Sequence, residues 1–443
     1  MIQKVRQILS ARETRDKIVT TLALLFAYRV GFHIPLPGTS ADFLRQASEG
    51  MAGTVFGVMN AFSGGAIGQT ALFSLGIMPY ISASIIFSVL GKVSPAIEAV
   101  QKEGAAGQKK INQWTRLSTV PICIIQALFV WFGVFAETPG LLDSGQAGFM
   151  GLIVVVVGLT AGAMLVMWLG ELITEHGIGN GASLIIMGGI IANIPAALTG
   201  IFNSSSSNFY STVLTLSAIW LTIVVAVVFM QKGERRIPIQ YARLTRGRRV
   251  YGGQKHFLPL KVNMAGVMPI IFASALFMLP AVLFALLGWN YMEDVFSDTD
   301  GFVYVTMLLL LVFWFCFFWN NLMFQPTDIA NNLREHGSFI PGIRPGVRTA
   351  EYIKGSLRRI TLAGATFLAL ISVVPNFVTA NIPELRGSLA YFLGGTSVLI
   401  VVGVAMDMVD RINAQLVMHN YDGLMKSGSS KSAWANKPGG KAS

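Results

Sequence analysis

Between Glu49 and Lys92 the chain carries no Asp, Glu, Lys or Arg. A bilayer core roughly 30 Å thick is crossed by about 20 helical residues, and the apolar run Leu72 to Leu90 (LFSLGIMPYISASIIFSVL) already meets that length. The residues before it are left over. Thr54 to Thr70 (TVFGVMNAFSGGAIGQT) is uncharged, rich in Gly, Ser and Ala, and too weakly apolar to face lipid alone. Irregular or half-helical backbone at membrane depth persists only where it is buried in protein or lines a wet cavity. Thr54 to Thr70 is therefore expected to be a re-entrant element inside a channel-like protein.

The rest of the chain agrees with a membrane setting. Of 443 residues, 53% are hydrophobic and 12% charged, about half the charged share of an ordinary soluble domain. Apolar runs of bilayer length predict ten spans, near Ile18 to Leu36, Leu72 to Leu90, Leu117 to Ala136, Met150 to Leu169, Ala182 to Ile201, Thr212 to Met230, Gly266 to Leu287, Phe302 to Leu322, Ile360 to Val378 and Leu389 to Met408.

Lys and Arg flanking a span stay in the cytoplasm, and here 30 of 33 fall on one side. The other side holds Arg45 and Arg386 against nine acids, while Arg29 lies within the first span. Both termini are thus expected in the cytoplasm. The net charge of +11 belongs to one face; attraction to anionic lipid does not explain why nine cations gather between Lys232 and Lys261. Cys123 and Cys316 both lie within spans, which indicates neither a disulfide framework nor a cysteine metal site. The first span is too long for a cleavable signal and ends without a small-residue cleavage site.

This reading divides the chain into an N-terminal segment 1–17, a first half 18–201, a second half 202–409 and a tail 410–443. Two long basic loops, 231–265 and 323–359, stand on the cytoplasmic side like a docking platform, since long loops in compact proteins are usually functional. Five spans per half would give the halves opposite membrane topology, an inverted repeat of the kind found in transport proteins. The end of the tail, Ser427 to Ser443, is rich in Gly, Ser and Lys and is expected to be disordered.

Catalytic patterns are missing: there is no HExxH, no Gly-x-Ser-x-Gly elbow, no Walker loop and no pair of Cys ligands. The Gly-rich run Gly177 to Gly181 joins two apolar helices, as a tight turn would. The five His fall in five segments, without metal-ligand spacing. No catalytic, cofactor or metal site is expected, and an embedded enzyme is the least favoured class. A small-solute transporter driven by an ion gradient would need ionisable groups inside its spans. Only Arg29 and Asp407 qualify, each near a span end where snorkelling or pairing accounts for it. Helix breakers are more telling. Pro79 interrupts the second span, Pro269 and Pro280 the seventh, and Gly158 with Gly162 makes a GxxxG in the fourth, a signature of close helix packing.

Five stretches carry a resemblance: Leu75 to Ile86 (LGIMPYISASII), Trp168 to Gly181 (WLGELITEHGIGNG), Leu258 to Ala273 (LPLKVNMAGVMPIIFA), Ile340 to Gly346 (IPGIRPG) and Phe392 to Ser397 (FLGGTS). Through them the chain resembles the SecY family, the large subunits of bacterial protein-conducting channels, over nearly its whole length. The resemblance implies an all-α, ten-helix protein with two inverted halves around an hourglass pore. It also implies that Thr54 to Thr70 is a plug helix, including Phe56, Asn60, Phe62, Ser63, Gly64 and Gly65. The pore waist would be a ring of apolar side chains: Ile77 and Ile81, Ala182 and Ile186, Ile271, and Ile400. Ala182 is smaller than the aliphatic residue usual there, which widens the ring or shifts part of the seal to the plug.

By the same resemblance the second and seventh spans line a lateral gate, with Pro79, Ser82 and Ile85 facing Pro269, Ser274 and Leu279. Arg248, Arg249 and Arg344 would receive the motor ATPase SecA or the ribosome. SecE and SecG are the implied channel subunits, with a second copy of the channel as a further associate; signal peptides, nascent polypeptides and membrane lipids are the other implied partners. The implied setting is the bacterial inner membrane.

Overall fold

The computed structural model describes residues 12–38, 71–132, 148–192, 194–195, 209–241, 244–246, 249–251, 255–263, 289–297, 301–381 and 395–435, with 266, 268–270, 272–273, 276, 280 and 284. Its helices are α1 (Arg12–Gly31), α2 (Met78–Val93), α3 (Pro95–Lys102), α4 (Ala105–Val130), α5 (Phe149–His176), α6 (Gly181–Ala192) and α7 (Phe209–Lys232). In the second half stand α8 (Asn290–Ser297), α9 (Phe302–Met323), α10 (Pro326–Glu335), α11 (Val347–Asn381) and α12 (Gly395–Ala435). A helix thus stands at every expected span but the seventh, which is described only in part. Among the described residues four stretches are long and apolar enough to cross a bilayer, Phe149–His176, Val213–Lys232, Phe302–Glu335 and Val347–Val374. Read as one span bent by 99°, α2 with α3 makes a fifth.

The second span differs from its expectation. Pro79 does not interrupt a helix; it occupies the first turn of α2, where its missing N–H costs nothing. The residues before it form turns because the chain is tied back beside α1: Leu72 N donates to Ile34 O at 2.9 Å, and Gly76 turns with φ 54°. Pro121, by contrast, lies inside α4. The last helix runs on to Ala435. No Pro stands in that helix to end it; the first beyond it is Pro438.

Packing explains the GxxxG. A Cβ on Gly162 would stand 1.9 Å from the backbone oxygen of Leu72, whereas one on Gly158 would meet only the Leu36 side chain at 3.3 Å. Backbone cannot retreat as a side chain can. Gly162→Ala is therefore expected to destabilise by about 3 kcal/mol and Gly158→Ala by less than about 1 kcal/mol. Thermal unfolding of the solubilised protein, followed by tryptophan fluorescence, checks this; equal midpoints for the two variants would contradict it.

The apolar interior has four parts. One joins α1, α2, α5 and α6 with Trp319 and Ile400; a second fills the space among α7, α9, α11 and the start of α12; a third lies between α4 and α5. The fourth stands apart, beneath a sheet built by both basic loops. Strand β1 (Glu234–Tyr241) pairs antiparallel with β4 (Lys255–Lys261) along its length and with β5 (Ser338–Phe339) at Gln240 and Tyr241, while β2 (Leu244–Arg246) and β3 (Arg249–Tyr251) form a separate hairpin. Ile237 and Ile239 are buried on alternate positions of β1, and Ile237 packs with Leu260, Ile340, Ile353 and Leu357. Pro238 is tolerated because β5 stops short of it. The platform is thus one body resting on the start of α11, whose 35 residues extend about 52 Å, well past a bilayer core.

Candidate functional site

Ile77 precedes α2 and Ile81 follows one turn later, its N–H bonded to the Ile77 carbonyl at 3.1 Å, so both side chains take one face. Ala182 and Ile186 repeat the spacing in α6, and Ile400 comes from α12. All five meet in a single apolar cluster, in which Ile77, Ile81, Ile186 and Ile400 are each 5% exposed or less and Ala182 packs against the rest. Ile271, the sixth expected member, lies outside the described residues, as do Phe56, Asn60, Phe62, Ser63, Gly64 and Gly65.

A cavity of about 570 Å³ adjoins this cluster. Ile81, Ala182, Ile186 and Ile400 make its apolar end, while Asn180, Gln231, Lys232, Lys261, Asn263 and Asp407 supply polar walls. Ile77, one turn along from Ile81, is not in the lining. The arrangement is a partly polar space that ends on an apolar constriction, and a constriction of that chemistry can stop water and ions by dewetting.

The turn before α6 positions two of these residues. Asn180 caps the helix, its Oδ1 accepting from Ala182 N at 3.0 Å, the usual work of an N-cap amide. Thr174 Oγ1 accepts from Gly181 N at 2.9 Å, and Thr21 Oγ1 of α1 accepts from Ile178 N at 3.1 Å. The Gly-rich run is therefore a braced turn joining three helices. Glu171, in the same stretch, accepts from Arg116 Nε of α4 at 2.5 Å.

Of the expected gate residues, Pro79 and Ile85 are buried and Ser82 is half-buried on α2. Ile85 belongs to the same cluster as the ring. Pro269 is buried in the described part of the seventh span; Ser274 and Leu279 lie outside the described residues. Phe272 fills the junction, with ring centres 5.4 Å from Trp319 and 5.3 Å from Phe315, and it touches the clusters of both halves. Sequence reasoning missed it, although its place beside Ile271 in the quoted motif was a signal.

A polar link between the halves was also missed. With the Gln325 amide turned as its neighbours require, its oxygen accepts from Lys92 Nζ at 3.2 Å and its nitrogen donates to Asp328. The end of α2 is thereby joined to the start of α10. On α3, Lys102 lies 2.9 Å from Glu98, and the hydrogen bond it donates is the main reason the Glu98 carboxyl titrates below its ordinary range. Within the second half Asn320 donates to Thr361, tying α9 to α11.

On the platform Arg344 is exposed between β5 and α11, and its carbonyl accepts from Thr349 Oγ1 at 2.9 Å. Arg249 opens β3 opposite Arg246; Arg248 lies outside the described residues. Among the described residues Arg29 pairs with no acid, and its head does not reach water as a whole. Its guanidinium carbon sits 5.1 Å over the Phe32 ring, and Nη1 is buried without a hydrogen bond.

The SecY family model matches residues 71–409. The protein translocase subunit SecY of Pseudomonas aeruginosa is 41% identical over 413 residues, covering 91% of each chain. A solved protein-conducting channel has a similar fold, with TM-score 0.62 and 19% identity over 90% of this chain and 92% of that one. Sec61 from a canine ribosome–channel complex of the endoplasmic reticulum gives TM-score 0.59 and 18% identity over the same shares.

Proposed function

Because the chain belongs to the SecY family, we propose that it is the pore-forming subunit of a protein translocase. It is a passive conduit that moves unfolded secretory polypeptides across the membrane and releases transmembrane segments sideways into lipid. The observation that carries this reading is the meeting of Ile81, Ala182, Ile186 and Ile400, from three helices distant in sequence, at the apolar end of a polar cavity. With Ile77 and Ile271 they form the waist, which excludes water when empty and gives way around a polypeptide. The plug, 54–70, closes the outer side, and the basic platform faces the cytoplasm with both termini. The membrane is the bacterial inner membrane.

The chain does no chemistry of its own. SecA or the translating ribosome supplies the work, docking on Arg248, Arg249 and Arg344; SecE clamps the halves, and SecG lies at the periphery. Sideways release follows from partitioning: each Leu, Ile, Val or Phe gains about 0.3 to 0.6 kcal/mol at mid-membrane, whereas each Lys, Arg or Asp costs about 2.5 to 3.5. A gate between α2 and the seventh span, lined by Pro79, Ser82, Ile85, Pro269, Ser274 and Leu279, sorts clients on that difference. Opening it parts α2 from the second half, so the Lys92–Gln325 contact is one of those given up.

Photo-crosslinking to a stalled secretory chain tests the path. Probes at positions 81 and 271 should give adducts, and a probe at Val157, 60% exposed on α5, should give none. Export that proceeds without adducts at 81 or 271 removes the pore assignment.

A further inference from the structure

The loop from Lys232 to Lys261 carries nine cations, yet the cavity it borders is balanced. Among the described residues its charged lining is Lys232, Lys261 and Arg411 against Glu234, Asp407 and Asp410, a formal sum of zero within a chain of +11. The balance is partly built by contact: Arg411 Nε donates to Asp407 Oδ2 at 2.9 Å, one helical turn away. Glu234 is held 2.6 Å from Arg236, which is not part of the lining.

Balance matters in a confined mouth. Apolar walls such as Val404, Met268 and the ring side chains lower the local dielectric, so an uncompensated charge there acts more strongly than on an open surface. A lining left with the sign of the surrounding platform would hold acidic segments and repel basic ones.

We propose that Asp407 and Asp410, with Glu234, are the residues that keep this cavity indifferent to the sign of charge on the polypeptide passing through it. The inference rests on the reading of the cavity as the polypeptide's path, and it assigns that path its substrate tolerance.

The test uses the full chain with its channel subunits in proteoliposomes and three clients that differ only in a short run of Glu, Lys or Ser. The readout is the transit rate of each charged client divided by that of the Ser client. Asp407→Asn with Asp410→Asn should lower the Glu-client ratio about three- to tenfold at low salt. The loss should vanish near 0.5 M salt, where the screening length shrinks to a few ångströms. Lys232→Gln with Lys261→Gln should do the same to the Lys client. Asp410→Asn alone, which leaves the Asp407–Arg411 pair intact, should give a smaller shift of the same sign. Ratios that do not move, or a slowing that ignores client charge and salt, overturn the proposal. A Ser client that never crosses vesicles holding the wild-type channel overturns the channel reading, and the proposal with it.

Discussion

Exchanging Ile186 and Ile400 together for Asn is expected to turn a sealed membrane into a leaky one. Both side chains are almost wholly buried against Ile81 at the end of the polar cavity. Asn is smaller than Ile as well as polar, so the exchange loosens the constriction and changes its chemistry together. A buried amide without a partner costs about 1 to 3 kcal/mol, and two of them in the ring favour the entry of water by at least about 2 kcal/mol. At 1.4 kcal/mol per factor of ten, that raises the wet population roughly thirtyfold. Resting ion conductance in planar bilayers should rise by a comparable factor. Leu at the same two positions preserves volume and polarity and should leave the resting leak within about twofold of wild type. A dry, non-conducting Asn pair would show that the seal lies elsewhere. Ala182→Val, which fills the smallest ring position, should lower whatever leak the wild type has.

Arg344→Glu is expected to reduce SecA-driven export to less than about a tenth while membrane insertion of the protein itself proceeds normally. The side chain is exposed, and its backbone is fixed independently of its charge, by the Thr349 hydroxyl on its carbonyl and by turns at Gly342 (φ 83°) and Gly346 (φ 106°). Reversal therefore alters the proposed docking surface by two charges without disturbing the core beneath. Arg344→Lys keeps the charge but loses the planar fork that grips a carboxylate with two hydrogen bonds, so an intermediate loss is expected. In vitro translocation of a purified preprotein, run beside insertion of a ribosome-dependent client, separates the two partners. Unimpaired motor-driven export by the Glu variant would reject the assignment.

Much of the architecture was legible because membrane helices write themselves plainly. Length and apolarity are local properties, and among the described residues a helix stands at each predicted span but the seventh. The ring was half legible: Ile77 with Ile81 and Ala182 with Ile186 share a face by spacing alone, but that α2, α6 and α12 converge needed the family resemblance. Pro79 was misread because a Pro amid apolar residues looks like a kink. The helix starts one residue before it, at Met78, and the tie from Leu72 to Ile34, made outside the helix, leaves no mark in the local sequence. The sheet was passed over as loop because Pro238 and Pro259 stand inside its two longest strands, and Pro within a run argues against a strand. The alternation of Ile237 and Ile239 was visible, yet its partners in β4 and β5 are not adjacent in the chain. Lys92 and Gln325, more than two hundred residues apart, leave no local trace at all.

The pairing of β1 with β5 has a mechanical consequence. Two loops that belong to different stretches of the second half are stapled into one rigid head, and that head sits on Ile353 and Leu357 of α11. From Val347 that helix runs without Pro until Pro375, and partway along it Thr361 is bonded to Asn320 of α9. It is a crank. A load placed on either loop turns the same shaft, and the torque arrives at the α9–α11 contact deep in the second half instead of dissipating in a flexible tether.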